Sequence, residues 1–160
     1  MKIAVVSDTH SKQVPKKVLQ EISQADLIIH AGDFCCEKDL DQFLKIKEVK
    51  AVYGNMDDQT LRKKLPETIV FEAEGVRIGI YHGDGAPKGI LERIKAKLAD
   101  DKLDIIVYGH THHPMVEKIG KTLFFNPGSL TDTIRAPYQS YGWIEIHKGN
   151  ISTKIVKIEI

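Results

Sequence analysis

Residues 2–10 read KIAVVSDTH: four apolar residues, Ile3 to Val6, run directly into Ser7, Asp8, Thr9 and His10. A short, unbroken Ile/Val run suits a strand buried on both faces better than one that alternates between core and water. The construction returns as LIIHAGD at 27–33, KAVYGN at 50–55, VRIGIYHGD at 76–84 and DIIVYGHTH at 104–112. In each of these the apolar run gives way to glycine beside aspartate, asparagine or histidine. Strands are therefore expected at 2–7, 26–31, 50–53, 76–82 and 104–108, with another at 68–73. Helical spacing fills the gaps: Val18, Leu19 and Ile22 within 15–25; Leu40, Phe43, Leu44 and Ile46 within 37–47; Ile90, Leu91, Ile94 and Leu98 within 87–99. Each helix has the length of a crossover between parallel strands. Beyond Tyr108 the helical patterns stop, and 113–119, 121–126, 141–147 and 151–160 read as strands with turns at Gly120 and Gly149-Asn150. The pattern is an α/β fold with two sheets, or with one mixed sheet that folds over.

At 160 residues, with no repeat and no Pro/Gly/Ser-rich linker, the chain is expected to form one domain, 1–160. Hydrophobic residues at 42% suffice for a core at this size. Lys+Arg 23 against Asp+Glu 22 excludes a nucleic-acid binder driven by bulk charge and an acidic tail protein, so a nucleotide-sized partner is expected in place of a long polymer. No apolar run approaches the roughly 18 residues of a membrane span, and the four apolar residues after Lys2 are too few for a secretory leader. The expectation is a soluble, cytoplasmic protein with no membrane partner, its oligomeric state left open. Cys35 and Cys36 are adjacent, a spacing that resists bridging. They read as ordinary thiols, the alternative being a place near a metal, since Asp33 lies two residues upstream.

The polar clusters carry the chemistry. In open α/β sheets, ligands bind at the carboxyl ends of the strands, so clusters at five strand ends converge. Together they hold two carboxylates (Asp8, Asp33), one amide oxygen (Asn55) and four imidazoles (His10, His82, His110, His112). Oxygen and nitrogen donors without a thiolate suit Mn, Fe, Co, Ni or Zn. Seven ligands exceed one tetrahedral ion and fit two if a carboxylate bridges. Two ions about 3.5–4 Å apart can activate a water and clamp both oxygens of an in-line displacement at phosphorus. In an extended segment, Asp-x-His and His-x-His would place both side chains on one side. A lone pair of this kind is weak evidence, and a lone histidine at a strand end is ordinarily a surface or capping residue. It is the five clusters in sequence that point to metal.

The order D-x-H, G-D, G-N, H-G, G-H-x-H from Asp8 to His112, followed by Asn-Pro-Gly-Ser at 126–129, resembles the calcineurin-like metallophosphoesterases, and most closely their small YfcE-type phosphodiesterase branch. The resemblance implies a four-layer αββα sandwich of two mixed sheets flanked by helices. It implies Asp8, His10 and His112 on a first metal, Asn55, His82 and His110 on a second, and Asp33 as the bridge. Asp33, Asn55 and His110 carry the catalytic work in that reading, through a metal-bridging hydroxide attacking a small phosphodiester or nucleotide. Manganese is the expected ion, with nickel, cobalt, iron or zinc as alternatives. The 126–129 turn would support the site, or be a simple turn after a strand.

Two positions depart from the family pattern. Many members continue Gly-Asn with a histidine that binds the phosphate and helps protonate the leaving group; here Met56 can do neither. Members of the small branch commonly share that loss. Close relatives often read H-G-H, where this chain has Asp84, expected as a turn residue or a partner of a ligand histidine ahead of a substitute acid. His113 is expected at the rim, His30 packed near the site, and His147 at the surface. Lys12 and Arg135 are minor candidates for phosphate contact. A phosphomonoesterase or phosphoprotein phosphatase would share the site, but the short chain leaves little length for recognition insertions. The competing function is a binding scaffold, because the retromer subunit vacuolar sorting protein 29 resembles the same branch and also lacks the histidine at the Met56 position. Asp33 and Asn55 stand here as the enzymes have them.

Overall fold

The computed structural model describes residues 1–100 and 102–159. In chain order these form β1 (Lys2–Val6), α1 (Lys16–Ile22), β2 (Leu27–His30), α2 (Glu37–Leu44), β3 (Val49–Ala51), α3 (Gln59–Lys64), β4 (Thr68–Ala73) and β5 (Val76–Tyr81). There follow α4 (Ile90–Leu98), β6 (Ile105–Val107), β7 (Met115–Ile119), β8 (Thr122–Asn126), β9 (Ser140–His147) and β10 (Asn150–Lys157). Of the two arrangements the sequence leaves open, the chain adopts two sheets, ordered β10-β9-β1-β2-β3 and β4-β5-β6-β8-β7. Both are mixed. β1, β2 and β3 run parallel while β9 is antiparallel to β1 and β10. β5, β6 and β8 run parallel while β4 and β7 are antiparallel edges.

The unbroken apolar strands are explained by what covers them. Ile3, Val5, Leu27 and Ile29 face the second sheet and pack with Ile78, Ile80, Ile105, Val107 and Phe125. Their neighbours Ala4, Val6 and Ile28 point the other way, onto Val18 and Ile22 of α1, Phe43 of α2 and Leu61 of α3. On the outer side of the second sheet, Ile106 and Tyr108 meet Ile90 and Ile94 of α4. The order is helices, sheet, sheet, helix, and the central strands are apolar on both faces because both faces are buried.

Several boundaries differ from expectation. α1 and α2 end at Ile22 and Leu44, short of 25 and 47, and α4 starts at Ile90 because Gly89 before it is left-handed (φ 75°). α3 has no counterpart in the sequence reading. It is six residues long, buries only Leu61, and is opened by the Asp58 carboxylate accepting from Leu61 N at 2.9 Å. β10 stops at Lys157, and position 160 of the expected terminal strand lies outside the described residues. No described helix is long and apolar enough to cross a membrane.

Candidate metal centre

The loops leaving β1, β2, β3, β5 and β6 meet at one edge of the sandwich. Asp8 N donates to Gly32 O and His10 N to Asp33 O, each at 3.0 Å, so the first two loops are laced together. That lacing bends the backbone. Asp8, His10, Asp33, His110 and His112 all lie in the left-handed region (φ 55°, 49°, 62°, 67° and 60°). The Asp-x-His and His-x-His segments are thus not extended, and the expectation of an extended strand end is corrected. Left-handed non-glycine residues are unfavourable by roughly 1 kcal/mol or more each and persist where the surroundings over-determine them. Two glycines permit the crowding: a Cβ at Gly54 would run into the Asp33 carboxylate, and one at Gly109 into the Ser7 hydroxyl and the Asp8 carboxylate.

All seven residues are brought together. Asp8 Oδ1 lies 3.2 Å from His112 Nε2, 3.7 Å from His10 Nε2 and 3.9 Å from His82 Nε2. Asp33 Oδ2 lies 3.3 Å from His82 Nε2 and 3.8 Å from His10 Nε2, facing both sides of the cluster. Asn55 Oδ1 is 3.1 Å from His82 Nε2 and 3.0 Å from His110 Nδ1. Two groupings lie at ligand spacing, Asp8–His10–His112 and Asp8–Asp33–His82.

The remaining atoms of three of the histidines and of both carboxylates are engaged. His82 Nδ1 donates to Ala31 O at 2.7 Å, His110 Nε2 to Gly85 O at 2.8 Å, and His112 Nδ1 to Asp132 Oδ2 at 2.5 Å. In the neutral ring each opposite nitrogen is then a lone pair, and each points into the cluster. Asp8 Oδ2 accepts from Ser7 Oγ at 2.6 Å and from His110 N at 3.2 Å, whereas its Oδ1 is fully buried without a hydrogen-bond partner. Asp33 Oδ1 accepts from Met56 N at 2.8 Å. What converges is two carboxylates, the Asn55 amide oxygen and imidazole nitrogens, with His10 Nε2 only 3.2 Å from His112 Nε2, a set of ligand atoms that a cation satisfies. Without one, protons take that role. Burial disfavours charge on both Asp8 and His82. The imidazoles of His10, His112 and His82 nevertheless hold the Asp8 carboxyl well below the usual range, and Asp33 and Asp8 lift His82 to about 9. His112 is raised likewise, Asp8 and Asp132 outweighing its burial.

Around this set lies a supporting layer that the sequence reading expected at the 126–129 turn but to which it gave no role for Asp57 or Asp132. Asp57 is buried, and its carboxylate accepts three main-chain N–H groups: Asp33 N at 3.0 Å, Gly54 N at 2.7 Å and Cys35 N at 2.7 Å. It locks the Gly-Asp and Gly-Asn loops to each other. Asp132 orients His112, its second oxygen accepting from Ile134 N at 2.8 Å and Arg135 N at 3.2 Å. The 126–129 turn supports the site directly: Ser129 Oγ donates to Asp8 O at 2.7 Å and Asn126 Nδ2 to Gly109 O at 2.9 Å. The signal for these groups was faint, an Asp following Gly-Asn-Met and an Asp shortly after Asn-Pro-Gly-Ser.

The other candidates stay outside the cluster. His30 is buried, stacked on Phe34, and held neutral by burial with a pKa near 3; its Nδ1 accepts from Gly32 N, and its Nε2 meets Thr9 Oγ1, which donates to Asp39. His113 and His147 are exposed, as are Lys12 and the Arg135 side chain. Asp84 lies in the loop between β5 and α4: its carbonyl accepts from Arg93 Nε and Nη2 at 3.1 and 2.8 Å, and its carboxylate pairs with Arg93 and with none of the candidate histidines. Cys35 Sγ sits 3.6 Å from His10 Nδ1, but burial, with Asp33 and Asp57 nearby, pushes the thiol up to about 11, so it stays a thiol.

Residues 1–149 match the family model described as the calcineurin-like phosphoesterase superfamily domain. The chain is 36% identical to a probable metallophosphoesterase of Methanocaldococcus jannaschii, over 99% of this chain and 82% of that protein. It is 29% identical to another protein of that organism named phosphodiesterase, over 80% of this chain and 83% of that one. Among solved structures it is similar to a Thermotoga maritima protein determined by solution NMR (TM-score 0.78, 29% identity, 98% of this chain and 99% of that one). Entamoeba histolytica Vps29 in complex with zinc shares the fold (TM-score 0.76, 24% identity, 98% of this chain and 99% of that one). By motif, geometry and kinship alike, the chain belongs to the calcineurin-like phosphoesterase superfamily.

Proposed function

We propose that the protein is a phosphodiesterase with two divalent metal ions, hydrolysing a small phosphodiester or nucleotide in the cytoplasm as one domain of 160 residues. Asp8, His10 and His112 would hold the first ion, Asn55, His82 and His110 the second, with Asp33 between them. The observation that carries this reading is the convergence of ligand-type oxygens and nitrogens around Asp8 Oδ1, which is fully buried with no hydrogen-bond partner. Asp33 Oδ2 lies 3.8 Å from His10 Nε2 and 3.3 Å from His82 Nε2, one histidine of each set, which supports its reading as the bridge. The mixed oxygen and nitrogen donors suit manganese, nickel, cobalt, iron or zinc alike, and manganese is the ion that the family resemblance leads us to expect.

Bound there, such a pair would supply an acidified water and neutralise charge developing on the phosphoryl oxygens. The chain's own residues orient the site. Asp132, Ala31 and Gly85 fix which imidazole nitrogen faces inward, and Asp57 sets the distance between the Asp33 and Asn55 loops. Met56 is 56% exposed and offers no proton to the leaving group. A missing general acid typically costs about 10²–10⁴-fold, least where the leaving group departs as a stable anion, so aryl diesters should be turned over best.

The test is hydrolysis of bis(p-nitrophenyl) phosphate beside p-nitrophenyl phosphate, with chelator-stripped protein given Mn, Ni, Co, Zn or Mg singly. Diester turnover that requires metal and vanishes in Asp33→Asn is the expected result. A folded protein inert with every metal would favour a binding scaffold of the Vps29 kind.

A further inference from the structure

α3, which the hydrophobic pattern does not announce, brings a guanidinium to the rim of the metal centre. Arg62 Nη2 donates to Asn55 O at 2.8 Å and its Nε to Asp57 O at 2.9 Å, while the group lies over the Tyr53 ring, 5.3 Å from its centroid. Those bonds use two of five N–H donors; among the described residues the other three meet no acceptor. The same guanidinium borders a cavity of about 190 Å³ that Asn55 and His82 also line. Two carboxylates stand on its wall, but each has a cation of its own: Glu67 is 2.9 Å from Lys97, and Asp84 is 3.6 Å from Arg93. On α3 itself, Lys64 is paired with Glu37 at 2.6 Å. Arg62 has no ion pair among the described residues. A fixed, uncompensated cation with donors to spare, sharing a cavity with two candidate metal ligands, is complementary to an oxyanion.

We propose that this cavity is a subsite for a second anionic group on the substrate's leaving side, with Arg62 as the residue that recognises it. The inference rests on the phosphodiesterase reading and narrows it. The preferred substrates are phosphodiesters whose leaving group carries a phosphate or carboxylate. Arg62 partly replaces what Met56 lacks: permanently protonated, it cannot donate a proton, but it holds the departing group by charge.

The experiment compares two phenyl p-nitrophenyl phosphates, one plain and one with a carboxylate on the nitrophenyl ring, in the manganese-loaded protein and in Arg62→Gln. Taking the ratio of kcat/KM values removes the intrinsic difference between the esters. Loss of a charge-assisted contact should lower the preference for the carboxylated ester about tenfold or more in Arg62→Gln. Arg62→Lys, which keeps the charge without the fork, should fall between and guards against a glutamine variant that does not fold. An equal loss on both esters would overturn the proposal and leave Arg62 as a clamp on the Asn55 loop. If the wild-type protein turns over neither ester with any metal, the phosphodiesterase reading fails, and the subsite is decided by binding. Inorganic phosphate titrated into metal-free protein should then shift the Arg62 side-chain N–H resonances; unmoved resonances would overturn it.

Discussion

Asp132→Ala probes how the site is held without touching a proposed ligand. His112 is pinned on both sides, Nε2 facing Asp8 Oδ1 at 3.2 Å and Nδ1 donating to Asp132 Oδ2 at 2.5 Å. Both side chains are at least nine-tenths buried, so water does not simply replace the lost acceptor. A carboxylate behind a metal-binding imidazole fixes its tautomer and raises its basicity, and removing such a partner typically lowers metal affinity about 10–100-fold, or about 1.4–2.7 kcal/mol. Alanine also orphans the N–H groups of Ile134 and Arg135. Asp132→Asn should fall between, because its single amide oxygen can serve those N–H groups or His112 but not both. The assay is a calorimetric manganese titration in competition with a chelator, alongside NMR of the imidazole protons in metal-free protein. There His112, which Asp8 and Asp132 raise against the effect of burial, should move down in both variants. Unchanged metal affinity in a folded Asp132→Ala protein would refute the reasoning.

Two further carboxylates have testable roles. Asp57→Ala should lose about 3–5 kcal/mol in urea unfolding of the metal-free protein, because it strips acceptors from three N–H groups, two of them on fully buried residues, at about 1–3 kcal/mol each; a loss under about 1 kcal/mol would contradict the lock between loops. Asp39 is buried beside Thr9 and Gln42, and burial outweighs their hydrogen bonds, raising it from 3.8 to about 6. A raised carboxyl contributes stability that is present below pH 3.8 and is lost as the pH climbs through 6, so the ionised form costs about 2 kcal/mol after allowance for residual solvent. The stability of Asp39→Asn relative to wild type should therefore rise by that amount between pH 4 and 7, and a pH-independent difference would rule the effect out.

Much of this was legible because two signals coincide in the chain. Ile/Val runs without alternation mark strands covered on both faces, and a polar cluster closing each run marks the edge where they end; β1, β2, β5 and β6 with Asp8, Asp33, His82 and His110 follow directly. The return of β9 to pair with β1 was not legible, since the choice between sheets is a long-range pairing and Tyr141–His147 alternates equally well on either. α3 escaped because its only buried side chain is Leu61, too little for a period. The left-handed backbone at the candidate ligands escaped because the constraint lies in hydrogen bonds between loops, Asp8 N to Gly32 O and His10 N to Asp33 O, and not in the residues themselves. Asp57 and Asp132 act through main-chain N–H groups and a histidine 20 residues away, so beyond their places after Gly-Asn-Met and Asn-Pro-Gly-Ser little distinguishes them from surface aspartates.

The proposed function depends on a pair of ions held by these seven residues with Asp33 between them. Its most direct test is a manganese titration of chelator-stripped protein followed by EPR, with diester turnover recorded on the same samples. A spin-coupled manganese pair forming at two equivalents, in step with turnover and absent in Asp33→Asn, is the predicted result. A single uncoupled ion at saturation with full turnover would contradict the account.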